Sequence, residues 1–155
     1  MNWLAFALMT VASWGLYGIC LHTGRMGMDD ATNGAFKAFL LVGVAYFLVA
    51  VLAPLGVLWF RGASFSFPAV GVQWSLLAGL VGAMGAFTVL LSFGAGGRPA
   101  VVMTIIFAGA PIVNALVGLL KHPPAGGIGT IEWPFYLGIA LAAIGGGMVS
   151  LFKPV

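Results

Sequence analysis

The chain has 155 residues, of which 62% are hydrophobic and 6% are charged, and its mean hydropathy is +1.15. Soluble domains carry about a quarter charged residues, so this composition excludes a water-facing surface and indicates an integral membrane protein. The net charge of +3 comes from a few scattered residues, which is typical of loops at a membrane and not of a nucleic-acid-binding surface. The single cysteine, Cys20, excludes an internal disulfide and a cysteine-based metal site.

Five apolar segments are long enough to cross a bilayer, which takes about 20 residues per helix. We predict an all-α bundle of five transmembrane helices in one domain over residues 1–155, at about 3–21, 35–60, 73–93, 100–120 and 133–152. No basic residue precedes the first run, which predicts a retained helix rather than a signal peptide. The second segment is long, and Pro54 and Gly56 predict that it tilts or kinks.

Basic residues give a small orientation signal. Five crossings place the termini on opposite sides, with Arg61 and Lys121 on one side. The other side holds Arg25, Lys37, Arg98 and Lys153. The positive-inside rule therefore favours an outer N-terminus and a cytosolic C-terminus, as in a bacterial cytoplasmic membrane. The difference is small enough that insertion in both orientations stays open.

Small residues recur every four positions in two of the predicted helices. The fifth carries Gly138, Ala142, Gly146 and Ser150, and the third carries Ser75, Gly79 and Ala83 beside Ala78, Gly82 and Ala86. Such stripes let helix backbones approach closely in a membrane. They predict tight helix contacts, either within the chain or between two chains.

The titratable residues form no catalytic pattern. Asp29, Asp30 and Glu132 all lie in loops or at a helix border, and His22 and His122 lack the spacing of metal ligands. A solvated loop or a helix cap is the expected role of the aspartates. We therefore predict neither an enzyme nor a bound metal or cofactor.

The fourth predicted helix contains "FAGAPIVNALVGLLK", in which a proline and an amide interrupt an apolar run. Pro111 removes the hydrogen bond to the carbonyl of Phe107, and Asn114 follows Phe107 by seven residues, on the same helix face. Thr104 lies near that face as well. Polar groups at membrane depth mark either a cavity or a hydrogen bond to another helix, and both interpretations stay open.

Three further side chains are candidates for contact with a solute. Trp14 and Tyr17 lie one turn apart in "ASWGLYG", and Lys37 lies just inside the second helix. Packing within the bundle is the alternative for the two aromatic side chains. For Lys37 the alternative is that its ammonium group reaches the membrane surface.

Several stretches resemble, in order, one EamA-type unit of the drug/metabolite transporter superfamily. They are "ASWGLYG", "LLAGLVGAMGAFTVLLSFGAGGRPAVVMTIIFAGAPIVNALVGLL" and "YLGIALAAIGGGMVSLF". In that family a small-rich third helix, a Gly-x-Pro-Ala-type turn (Gly97 to Ala100 here) and a fourth helix with a central proline (Pro111 here) follow one another. The chain departs from the family where "LLKHPPAGG" lacks a glutamate, and where Lys37 is the nearest match to an arginine.

The resemblance implies half of a ten-helix transporter, because family members usually carry two such units in inverted orientation. We expect a half-size subunit that moves a small polar metabolite by alternating access, paired with a second copy or a related half-transporter. The expected solute contacts are Asn114, Thr104, Pro111, Trp14, Tyr17 and Lys37. The alternative is a non-transporting accessory subunit of a larger membrane complex. A scaffold that holds a pigment or lipid through His22 and His122 is a third interpretation.

Overall fold

The structure is a computed structural model that describes residues 2–152, and it is all-helical over this range. Five helical spans are long and apolar enough to cross a membrane: Trp3–Met26, Gly34–Phe60, Ala69–Gly94, Pro99–Lys121 and Trp133–Phe152. The five predicted spans are therefore confirmed, and the chain is an integral membrane protein by this criterion. Lys153, which contributes to the orientation signal, lies outside the described residues.

The first span, α1 (Trp3–Met26), extends beyond its predicted end at Leu21. Its start is capped by Asn2, whose side-chain oxygen accepts a hydrogen bond from the backbone N–H of Leu4. At the other end the polar residues after Leu21 continue the helix. The predicted end at Leu21 was wrong. Arg25 does not lie in a solvated loop, because its side chain hydrogen-bonds another helix.

The second span contains an irregular turn shortly before Pro54. It consists of α2 (Gly34–Phe47), a π-helical turn (Leu48–Leu52) and α3 (Ala53–Phe60). The backbone N–H of Ala53 donates to the carbonyl of Leu48, five residues back. Pro54 follows directly; it lacks an N–H, and its ring would clash with the carbonyl four residues earlier. A π-helical turn of this kind accommodates the disturbance while the helix continues.

The remaining spans are α4 (Ala69–Gly94), α5 (Pro99–Lys121) and α6 (Trp133–Phe152). The third span thus begins four residues before its predicted start at Gln73, directly after Pro68. A proline at the first position of α5 suits a helix start, where no N–H partner is needed. A short 3-10 turn, Ile128–Thr130, lies between α5 and α6.

The described chain divides into two compact units, within Met1–Gly96 and Gly97–Val155. In the first unit α1, α2 and α4 pack together at one end only. The residues buried there are Gly18, Leu21, Gly34, Ala38, Ala86, Val89, Leu90 and Phe93. They belong to the C-terminal parts of α1 and α4 and the N-terminal part of α2. We call this region the packed end.

Gly34 allows a close approach where α2 begins against the end of α1. A Cβ atom at Gly34 would lie 3.1 Å from the carbonyl oxygen of Arg25 and 3.2 Å from the Cβ of Met28. Both distances are tighter than ordinary van der Waals contact, so a side chain at this position would make its neighbours shift by a few tenths of an ångström. Aromatic contacts continue the packing, because Phe87 of α4 lies against both Phe36 and Phe39 of α2.

The second unit is a hairpin of α5 and α6. The two helices approach tightly at Gly146, where a Cβ atom would clash with the side chain of Ala108 and approach the carbonyl of Thr104. The predicted contact is therefore confirmed at Gly146. At Gly138, in contrast, a Cβ would meet nothing within 4 Å. The stripe on α6 is thus in tight contact with α5 at Gly146 and open at Gly138.

Candidate functional site

One face of α5 carries Asn114, which places a side-chain amide inside a membrane-spanning helix of the second unit. Pro111 and Asn114 are both exposed, and the side-chain amide of Asn114 makes no hydrogen bond with any described residue. Phe107 on the same face is 41% exposed. The contact of α5 with α6 involves a different face, that of Thr104 and Ala108. Within the hairpin of α5 and α6, therefore, no side chain hydrogen-bonds the Asn114 amide.

The carbonyl of Phe107 is the second polar group of this face. In a regular α-helix it would accept the N–H of the residue four positions later, which here is Pro111 and carries none. The helix nevertheless continues without interruption from Pro99 to Lys121. Asn114 and Phe107 thus present an amide and a carbonyl without its usual donor on one exposed face, seven residues apart.

Thr104 differs from Asn114 because its hydroxyl already has a partner. Its Oγ1 donates a 2.6 Å hydrogen bond to the carbonyl of Ala100 in the same helix. The side chain is only partly exposed. Thr104 can therefore still accept a hydrogen bond, but its proton is used within α5.

Trp14 and Tyr17, of the first unit, contact each other. Their ring centroids lie 5.5 Å apart with a tilt of 49°. Trp14 is exposed. The Tyr17 hydroxyl is buried and has no hydrogen-bond partner with good geometry among the described residues, although the neighbouring Tyr46 interacts with it. Tyr17 also lines a groove of about 280 Å³ between α1 and α2, whose other walls are mostly apolar.

Lys37 is paired with Asp30 and is not free to meet a solute. Its Nζ donates to Asp30 Oδ2 at 2.7 Å. The other carboxylate oxygen of Asp30 accepts the backbone N–H groups of Thr32 and Asn33 at 3.1 and 2.8 Å. The Lys37 ammonium group and then the Asn33 N–H lower the pKa of Asp30 from 3.8 to about 2. This pair fixes the loop that leads into α2.

A polar cluster at the packed end is absent from the sequence-based predictions. The guanidinium of Arg25 donates a 2.7 Å hydrogen bond to the carbonyl of Phe93, in the last turn of α4. The His22 ring meets Phe93 edge-on at 5.6 Å, and its Nδ1 is buried without a partner among the described residues. One feature of the sequence could have indicated this cluster. Arg25 lies near a helix end, and an arginine there can bind the carbonyls at the C-terminus of a neighbouring helix.

The described residues contain no group of three or more histidine, cysteine or acidic side chains that could hold a metal ion. The polar groups described above are the Asn114 amide, hydroxyls, backbone carbonyls, the Arg25 and His22 side chains and the Lys37–Asp30 ion pair. No family model, curated protein or solved structure matches the chain.

Proposed function

We propose that the chain is a half-size membrane transport subunit that moves a small polar metabolite by alternating access. It acts in the lipid bilayer as a pair, with a second copy or a related half-transporter. The observation that carries this proposal is Asn114, whose amide is exposed in the interior of a membrane-spanning helix without a partner in the described chain.

Exposure of that amide to lipid is energetically unfavourable. Hydrocarbon offers no hydrogen-bond partner, and leaving a polar amide unpaired there costs several kcal/mol. The Phe107 carbonyl on the same face adds an acceptor without its usual donor. A polar surface from outside the unit, or a water-filled path that a solute can enter, must therefore cover this face. A half-transporter that completes its path by pairing supplies both.

Asn114 and Pro111 are the central solute contacts in this proposal. Thr104 is a weaker candidate, because it lies on the face of α5 that packs on α6. Trp14 and Tyr17 remain proposed contacts on the first unit. Lys37 is a weaker candidate because Asp30 neutralises it. The sequence contains no phosphate-binding motif, so we propose that transport is driven by a solute gradient. The proposed location is the bacterial cytoplasmic membrane; the small excess of basic residues on one side favours an outer N-terminus and permits both orientations.

An accessory subunit of a larger membrane complex is the second candidate, and the positions of the acids favour it. Asp29 and Asp30 lie in the loop before α2, and Glu132 immediately precedes α6. None of the described carboxylates is thus inside a span, where a proton-coupled transporter would use one.

Purification under mild conditions separates the two candidates. A transport subunit should purify as a pair of half-transporter chains and should accelerate the uptake of amino acids, nucleosides or sugars into reconstituted vesicles. An accessory subunit should purify with a fixed set of unrelated membrane proteins and should leave uptake at the level of empty vesicles. The second result would overturn the transport proposal.

A further inference from the structure

We propose that two copies pair in opposite orientations through α5, with reciprocal hydrogen bonds from the Asn114 amide of each copy to the Phe107 carbonyl of the other. This inference deepens the proposed function and rests on its pairing of two copies. We assign the contact to the closed pair that holds no solute. A polar solute entering the path would replace these bonds.

The first argument is the position of the two groups along α5. The helix runs from Pro99 to Lys121, so its midpoint is residue 110. Positions 107 and 114 lie on either side of this midpoint, and their own midpoint falls between residues 110 and 111. A helix of this length, roughly 34 Å at 1.5 Å per residue, spans a hydrocarbon core of about 30 Å. Residue 110 therefore lies near the middle of the bilayer.

The second argument is symmetry. A two-fold axis in the membrane plane, passing near residue 110, places position 114 of one copy at the depth of position 107 of the other. Helical side chains lean toward the N-terminus and helical carbonyls point toward the C-terminus. Both displacements bring the amide and the carbonyl closer to the middle of the bilayer, by similar amounts. The two groups then meet twice, once on each side of the axis.

Two copies in the same orientation do not give this match. Position 114 of one copy would lie seven residues, roughly 10 Å in depth, from position 107 of the other, and the lean of the amide and the carbonyl toward the middle closes only part of this separation. The two Asn114 side chains could then bond only to each other. Both carbonyls without a usual donor would remain unpaired in hydrocarbon, which is unfavourable. In opposite orientations, each Asn114 amide finds a Phe107 carbonyl, so that both the amides and the carbonyls are hydrogen-bonded.

The surroundings agree with a second helix at this face. Phe107, Pro111 and Asn114 share one exposed side of α5, while a different face packs on α6. Gly118, one turn beyond Asn114, is also exposed, and a Cβ there would meet nothing within 4 Å. Donor and acceptor complementarity, rather than apolar area, identifies the second copy as the occupant. The small excess of basic residues on one side permits both orientations.

The test measures association in vesicles by energy transfer between donor- and acceptor-labelled copies, without any solute. Asn114→Leu removes the donor. Pro111→Ala restores an N–H that occupies the Phe107 carbonyl, and alanine favours the helix, so this variant should fold. Each change should raise the Kd of the pair roughly 8-fold, the loss of two average membrane hydrogen bonds. The double variant should be no weaker than either single variant, because all three lack the same bonds.

Two controls and three contrary outcomes complete the experiment. Thr10→Val removes a span hydroxyl that bonds within α1, and Pro54→Ala removes a proline from another span; both should leave the Kd unchanged. Weakening by Asn114→Leu alone would show amide pairing in parallel copies and would overturn the proposal. Unchanged association in both variants, or additive losses in the double variant, would overturn it as well.

Orientation is measured separately, with single cysteines in a Cys20→Ala background. Ala31 and Ala63 lie in loops at opposite ends of the second span. An impermeant maleimide added outside intact cells should label about half of the copies at each position. Labelling of only one position would fix a single orientation and overturn the inverted pair. Because neither readout involves a solute, this proposal and the transport proposal can fail independently.

Discussion

The Arg25 guanidinium binds the Phe93 carbonyl across the packed end of the first unit, at 2.7 Å. The contact brings a cation to the C-terminal turn of α4, where the helix dipole is negative. It also accounts for the continuation of α1 to Met26. A residue that the hydropathy pattern assigns to a loop thus joins the ends of two spans.

Arg25→Met should therefore destabilise the first unit. Hydrogen bonds to charged groups contribute about 1.5–3 kcal/mol, and partial exposure of this one favours the lower part of that range. The midpoint of thermal unfolding in detergent should fall. Arg61→Met is the matched control, because the Arg61 side chain makes no hydrogen bond or ion pair with a described residue. Equal effects of the two substitutions would show that the Phe93 contact contributes nothing specific.

Gly146→Leu should destabilise the hairpin of α5 and α6. Even a Cβ at this position would clash with Ala108, and overpacking costs about 1–3 kcal/mol. Gly138→Leu, on the same stripe, enters open space and should leave stability nearly unchanged. Thermal unfolding of the two variants in one detergent makes the comparison. A larger loss for Gly138→Leu would mean that another chain covers that end of α6.

Acid should weaken the loop before α2 through Asp30. Its native pKa of about 2 lies below its ordinary value of 3.8, so the native state binds fewer protons than the unfolded state between these values. The contribution of Asp30 is therefore complete above about pH 3.8 and is lost as the pH falls through about 2. Thermal midpoints measured from pH 5 to pH 2 should decline less in Asp30→Asn than in the parent chain.

Asp29→Asn is the control for that series, because no hydrogen bond or ion pair joins the Asp29 side chain to another described residue. It should retain the pH dependence of the parent chain. A curve for Asp30→Asn that follows the parent through the whole range would contradict the assigned role of Asp30.

The sequence predicted the spans well because hydropathy over about 20 residues is a strong signal. The tilt or kink predicted from Pro54 and Gly56 stays a prediction, and the π-helical turn Leu48–Leu52 precedes that proline. The predicted end of α1 was wrong by five residues, and the predicted start of α4 was wrong by four. Hydropathy assigns Arg25 to a loop because it does not include the hydrogen bond that the arginine makes with another helix.

The packing and the site were less predictable. Gly138 and Gly146 are equivalent in the repeat, yet only Gly146 meets another helix closely, which depends on where α5 crosses α6. The exposure of Asn114 was also undetermined, because an amide that bonds to a neighbouring helix and one that faces outward have the same local sequence. Lys37 was a candidate solute contact until its pairing with Asp30 became visible.

The most direct test of the transport proposal is whether solute flux depends on Asn114. Parent protein, Asn114→Leu and the control Thr10→Val are reconstituted at equal density, and uptake of a panel of amino acids, nucleosides and sugars is measured. The account predicts flux above empty vesicles for the parent and for Thr10→Val, and its loss in Asn114→Leu with folding nearly unchanged. Full flux in Asn114→Leu would contradict the proposed site, and flux in none of the three proteins would contradict transport and favour the accessory subunit.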